Sequence, residues 1–183
     1  MTSANQDIDW AALLPFMTEE EKEFVGRVVQ MNMGVWDPLE GPQLMAYNST
    51  ASVIGYGGAA GGGKTDLMCG TALTKHQKSL IVRREGTQLT GIIDRLTELL
   101  NNNKAGYNGQ EKIWRLKGDK QNPYRQIEFG STPNADDWNK YQGRPRDFLG
   151  VDEAANFLEI QVRMLIGWVR SVDPDQFCQT LLA

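Results

Sequence analysis

Histidine occurs once, at His76, and cysteine only twice, at Cys69 and Cys178. The two thiols are far apart, show no metal-ligand spacing and have no histidine beside them. That excludes a zinc site of the usual pattern and a disulfide scaffold, and buried thiols in a reducing compartment are expected. No apolar run approaches the roughly 20 residues needed to span a bilayer, and the chain begins polar and acidic, unlike a secretory leader. A soluble intracellular protein without a membrane partner is the expectation. Basic charge is not in excess: the net charge is −4, so nothing global attracts nucleic acid and any contact with it must be local. Repeats and low-complexity tracts are absent as well. What remains is an ordinary globular composition, 40% hydrophobic and 23% charged, over 183 residues, which give room for one well-buried domain and barely for two.

One stretch departs from the ordinary. Gly58-Ala59-Ala60-Gly61-Gly62-Gly63-Lys64-Thr65 fits G-x-x-x-x-G-K-[ST] at every fixed position and follows the strand-like run Ser52-Val53-Ile54-Gly55-Tyr56. A polyphosphate needs dense donors at close range. Glycines and alanines let successive backbone N–H groups converge without side chains intervening, and the helix that follows adds its positive end. Lys64 is expected on the β- and γ-phosphates and the Thr65 hydroxyl in the shell of a Mg²⁺ ion, so ATP and Mg²⁺ are the expected ligands.

Around this loop the pattern alternates. Thr18-Glu19-Glu20-Glu21 is a capping box, and Phe24, Val25, Val28, Val29 and Met31 follow at helical spacing until Gly34, so residues 1–35 read as an N-terminal helical segment. Trp36, Pro38, Gly41, Pro42 and Gln43 read as a turn-rich connector. A helix is predicted from the loop to about His76, a buried strand over Ser79–Val82 ending in Arg83-Arg84, and a helix carrying Leu89, Ile92, Ile93, Leu96, Leu99 and Leu100. Residues 103–111 read as a loop, and 112–116 with 125–129 as a strand pair. Asp147–Val151 reads as a strand, and Asn156 with Glu159 as the cap of a helix to about Arg170. Phe177–Leu182 reads as one more strand, after which the ending at Ala183 looks like a cut. The fold class expected is α/β: a P-loop NTPase with a mostly parallel central sheet flanked by helices, its C-terminal strands missing.

Hydrolysis also requires groups that hold the metal's outer waters and orient the attacking water. Asp152 and Glu153, at the end of a predicted buried strand, suit those tasks: Asp152 for metal, Glu153 as proton acceptor. Charge on the γ-phosphate calls for an arginine. Arg144 and Arg146 before the acidic strand, and Arg83-Arg84 after another, are the candidates, acting within the chain or across a subunit boundary; Arg144 is assigned the catalytic role. Gln43, fifteen residues before Gly58, presents an amide suited to an adenine edge, or is a solvated turn residue. Trp114, Trp138 and Tyr141 among Arg115, Lys117, Arg125 and Lys140 suit either a single-stranded nucleic acid or the core.

Four stretches together resemble the large terminase subunits of tailed bacteriophages: Gly41-Pro42-Gln43, the loop Gly58 to Thr65, Leu80-Ile81-Val82-Arg83-Arg84, and Tyr141-Gln142-Gly143-Arg144 leading into Phe148-Leu149-Gly150-Val151-Asp152-Glu153-Ala154. The resemblance spans about residues 36 to 183. It implies an incomplete P-loop ATPase domain that couples Mg-ATP hydrolysis to translocation of double-stranded DNA into a capsid. It further implies a portal protein and a small terminase subunit as partners, a homo-oligomeric assembly, and a location in the host cell cytoplasm. The family's nuclease domain and its Ser/Thr-Asn-Pro coupling motif have no counterpart here. The loop and acidic pair alone fit other P-loop ATPases, so a helicase or recombination-type ATPase, or an inert nucleotide-binding remnant, are the alternative readings.

Overall fold

A computed structural model of the chain describes residues 17–18, 35–59, 61–118 and 124–183. By internal contacts the chain divides into Met1–Gly34 and Val35–Ala183, and the fold is that of the second unit. The expected N-terminal helix, Ala60 and the turn at 119–123 lie outside the described residues.

A seven-stranded sheet forms the centre, made of β1 (Val53–Gly55), β2 (Lys78–Arg83), β3 (Tyr107–Asn108), β4 (Ile113–Leu116), β5 (Arg125–Ser131), β6 (Phe148–Val151) and β7 (Gln179–Leu182). The spatial order is β1-β7-β6-β2-β5-β4-β3. The first five in that order run parallel, and β4 and β3 add an antiparallel edge. Four helices accompany it among the described residues: α1 (Pro42–Asn48), α2 (Lys64–Thr74), α3 (Thr90–Leu99) and α4 (Glu159–Ile166).

Strand residues alternate between two cores. Ile81, Ile127, Phe129, Phe148 and Leu181 point to the face covered by α2 and α3, where Leu67, Met68, Ala72, Ile92 and Leu96 complete one cluster. Leu80, Val82, Leu149 and Val151 point to the other face and meet Tyr141, Phe157 and Leu165. Strands clad on both sides have no polar face, and this is why 80–82 and 148–151 read as runs without a polar residue. Two glycines permit the close layering. A Cβ on Gly70 of α2 would lie 2.0 Å from the Trp36 ring, and one on Gly150 of β6 would lie 2.5 Å from the Met68 sulfur.

Several boundaries depart from the sequence reading. The connector contains α1, with Pro42 at its first turn after Gly41, where the missing proline N–H costs nothing. The expected loop at 103–111 carries β3. The last helix starts at Glu159 rather than Asn156, because Gln161 Oε1 accepts from Leu158 N at 3.0 Å and fixes that end, while 154–156 form a 3₁₀ turn. It stops at Ile166 rather than Arg170, since Val169 leaves to bridge Arg146.

Candidate nucleotide site

The loop between β1 and α2 has the backbone that its glycines permit. Gly61 (φ 82°) and Gly63 (φ 71°) are left-handed, a conformation costly for any residue with a Cβ. Gly63 is also the N-cap of α2, so Lys64, Thr65 and Asp66 occupy the first turn, where unpaired N–H groups and the helix dipole face outward. The loop is braced from both sides. Gly62 N donates to Ala59 O at 3.1 Å, Tyr56 Oη donates to Gly62 O at 3.2 Å, and the Lys64 ammonium folds back onto Gly58 O (2.9 Å) and Ala59 O (3.1 Å).

Gln43 is not turned toward a base. It is buried, its Oε1 accepts from Leu39 N at 2.6 Å, and its Nε2 donates to Gly63 O at 3.1 Å. Both ends of the amide are committed to the chain's own backbone, and it ties the connector to the loop at the point where a Cβ on Gly63 would lie 2.7 Å from Nε2.

Beyond the loop opens a cleft of about 510 Å³, lined by Gly61 to Asp66, Arg83, Gly91, Ile92, Arg95, Asp152 and Glu153. Asp152 follows β6 directly and its N–H donates to Val82 O at 2.9 Å, which places the carboxylate at the carboxyl ends of the parallel strands. It is only 1% exposed, and Arg83 Nε donates to its Oδ2 at 2.7 Å. Burial pushes the Asp152 carboxyl above its ordinary range, and Arg83 draws it the other way without cancelling the effect. Glu153, left-handed at φ 57°, turns its half-exposed carboxylate into the opening, 3.7 Å from Arg83 Nη2.

A second ion pair closes the far wall. Arg95 of α3 holds Asp66 Oδ1 through Nε (2.7 Å) and Nη2 (2.6 Å), while Trp36 Nε1 donates to Asp66 Oδ2 at 2.8 Å. The cleft therefore contains Lys64, Arg83 and Arg95 facing Asp66, Asp152 and Glu153, so positive and negative side chains balance before any ligand enters. Sequence does not mark Asp66, Arg95 and Trp36 as parts of a site. Their contacts join segments about 30 residues apart, and no local spacing announces them.

The arginines separate. Arg83 lines the cleft, and Arg84 does not: it donates to Pro133 O (3.2 Å), Asn156 O (3.1 Å) and Gln161 Oε1 (3.3 Å). Strand alternation carries this signal, since Arg83 shares a face with Ile81 beneath α2 and Arg84 cannot. Arg144 and Arg146 are not brought to the cleft of their own chain. They precede β6, whereas Asp152 follows it, and the ends of a four-residue strand lie about 10 Å apart. Arg144 Nη1 instead meets Glu128 Oε1 at 3.1 Å, and buried Arg146 grips the other oxygen of the same carboxylate. Trp114 is fully buried and Tyr141 nearly so, which places both in the core rather than on a stacking platform; Trp138 packs against the second core.

The donor set fits a magnesium ion held in the company of phosphates. Among the described residues no cluster of three or more histidine, cysteine, aspartate or glutamate side chains makes a cage of its own. A hydroxyl at Thr65 and one carboxylate at Asp152 are what Mg²⁺ takes from a protein when phosphate oxygens and waters complete its octahedron.

A glycine loop between a parallel strand and a helix, with an aspartate at the end of a strand two places along the sheet, defines the P-loop NTPase fold. Within that class, the chain has the fold of the ATPase domains of phage large terminases. It is similar to the large terminase of a thermophilic bacteriophage (12% identity, TM-score 0.58, covering 80% of this chain and 39% of that one). An ADP complex of that terminase also matches (12%, TM-score 0.55, 77% and 37%). The large terminase ATPase domain of Thermus phage P74-26 matches over 83% of this chain and 67% of its own length (14%, TM-score 0.52). The HK97 bacteriophage large terminase matches over 80% and 33% (14%, TM-score 0.52). The chain thus spans about two fifths of the first of these proteins. No protein-family model and no curated protein matches the sequence.

Proposed function

We propose that residues 36–183 are the ATP-hydrolysing motor domain of a phage DNA-packaging terminase. One observation carries the reading: a single cleft contains the glycine loop, Lys64 and Thr65 together with Asp152 and Glu153. The loop N–H groups and the first turn of α2 receive the phosphates, and Lys64 leaves Gly58 O and Ala59 O for the β- and γ-phosphate oxygens. Thr65 and Asp152 are the groups that would hold Mg²⁺, which when bound neutralises charge across those oxygens. Glu153, at the open side of the cleft, takes a proton from the attacking water. Arg144 enters only through another copy, because its own cleft lies beyond the far end of β6. A homo-oligomer is therefore part of the proposal, as are double-stranded DNA, a portal protein, a small terminase subunit and the host cell cytoplasm.

Glu153→Gln tests the chemistry. A general base contributes about 10²–10⁴ in rate, so steady-state phosphate release should fall at least about a hundredfold while the dissociation constant for ATP, read by fluorescence titration, stays within about threefold. Unchanged turnover would remove Glu153 from the mechanism, and absence of ATP binding by the unaltered chain would remove the function.

A further inference from the structure

We infer that Arg83 competes with a metal ion for Asp152, and that it releases Asp152 only when a γ-phosphate is present to receive its guanidinium. This rests on the nucleotide reading above and assigns a task to a residue that reading leaves idle.

Asp152 is among the most buried carboxylates of the chain, and a charge so placed requires a counter-charge. Arg83 supplies it at 2.7 Å through Nε, reaches toward Glu153 with Nη2 at 3.7 Å, and rests Nη1 on Gln88 O at 3.2 Å. Asp152 is thus held by a side chain and not by backbone donors alone. Arg83 holds Oδ2, and a divalent ion drawn to the same carboxylate would meet the guanidinium's like charge at short range, so occupancy by one weakens occupancy by the other.

The displaced group has somewhere to go. Its planar fork matches phosphate oxygens, and the cleft it lines is the one into which the loop and Lys64 face. Its main chain has no such freedom. Arg83 ends β2, paired to β5 on one side with β6 on the other, and the next residue, Arg84, is fastened by three acceptors. Movement is therefore confined to the three methylenes and the guanidinium of Arg83. Lys64 obeys the same logic, parked on two loop carbonyls that a phosphate would replace.

The consequence is discrimination between triphosphate and diphosphate. With a γ-phosphate present, Arg83 has a better partner than Asp152 and the metal stays. Without it, Arg83 returns to Asp152 and weakens metal retention, so Arg83 is a positioning residue that links product release to loss of phosphate.

Mn²⁺ binding followed by electron paramagnetic resonance tests this without turnover. The probe is titrated into protein saturated with ADP and, separately, with a non-hydrolysable ATP analogue. In the unaltered chain Mn²⁺ should bind about tenfold more weakly with ADP than with the analogue, and Arg83→Gln should shrink that ratio to about twofold by tightening the ADP complex. Arg83→Lys, which keeps the charge without the fork, should retain a ratio above about fivefold. In a second measurement that needs no variant, the Arg83 Nε–H resonance of the unaltered chain should move with the Mg²⁺-analogue and not with Mg²⁺-ADP. The inference is overturned if Arg83→Gln leaves the ratio unchanged or if the resonance moves equally with both nucleotides. Normal nucleotide binding with either of those results sinks Arg83 alone; no nucleotide binding, with Lys64→Ala indistinguishable from the unaltered chain, sinks the function as well.

Discussion

Two aspartates bracket β6, and they serve opposite ends. Asp147 lies just before the strand and Asp152 just after it, 3% and 1% exposed, so both are equally hidden. Burial raises the pKa of each. The difference is in their partners. Asp147 accepts Gln77 N at 2.7 Å and Lys78 N at 2.8 Å, main-chain donors that cannot leave without unravelling the start of β2. Asp152 is held chiefly by the Arg83 side chain beside an open cleft. A buried carboxylate stapled to backbone is architecture, whereas one held by a side chain that can rotate away is available for exchange. Depth alone does not separate the two roles.

Substitution should expose the contrast. Asp147→Ala leaves two partly buried N–H groups without their acceptors and is expected to cost about 2 kcal/mol of unfolding free energy in urea denaturation. Asp152→Asn keeps a side chain facing Arg83 and should cost no more than about half of that. Equal losses would break the comparison.

Gly70→Ala probes the cleft rim from beneath. Its Cβ would meet the Trp36 ring at 2.0 Å, overpacking that should cost about 2 kcal/mol and, through the Trp36–Asp66 hydrogen bond, weaken nucleotide binding by several-fold. Full stability in this variant would mean that Trp36 is free to move aside.

The smallest effect concerns pH at the Asp147 end. His76 is buried and stacked on Phe148 at 4.8 Å, and burial first, then Lys75 and Arg125, lower its pKa to about 3. The unfolded chain therefore binds a proton below about pH 6.5 that the folded chain refuses until about pH 3. Stability from this group is complete above 6.5 and is lost as pH falls, about 1 kcal/mol between pH 7 and 5.5. Raised carboxyls at Asp147 and Asp152 act in the opposite sense, so the His76 slope is isolated as the difference between the unaltered chain and His76→Leu over pH 5.5–7.

How much can be read from the sequence depends on how local each signal is. The glycine loop and its Lys-Thr are contiguous, and the strand before and helix after punctuate it, so fold class and the loop's place between β1 and α2 are legible. The apolar runs at 80–82 and 148–151 are legible because both faces of those strands are covered. Gln43 misleads, since an amide's partners are not written in its neighbours: Gly63 is twenty residues away. Arg144 is suggested by proximity along the chain to Asp152, but a strand between two residues carries them to opposite rims. The helix at 42–48 is hidden by Gly41-Pro42, which signals a turn and a helix start with equal force. Arg83 over Arg84 is decidable from alternation alone.

Glu153 carries a left-handed backbone without being glycine. Such a residue costs about 1 kcal/mol or more and persists only where surroundings enforce it; here Asp152 N–H on Val82 O and Ala154 N–H on Ala183 O, at 2.7 Å, pin the chain on either side. Reversing the main chain between two consecutive acids sends one carboxylate inward and its neighbour outward. Two like charges adjacent in sequence are thereby turned apart, although Glu153 still adds to the upward push on Asp152, and one dipeptide can serve two different atoms of a single guest.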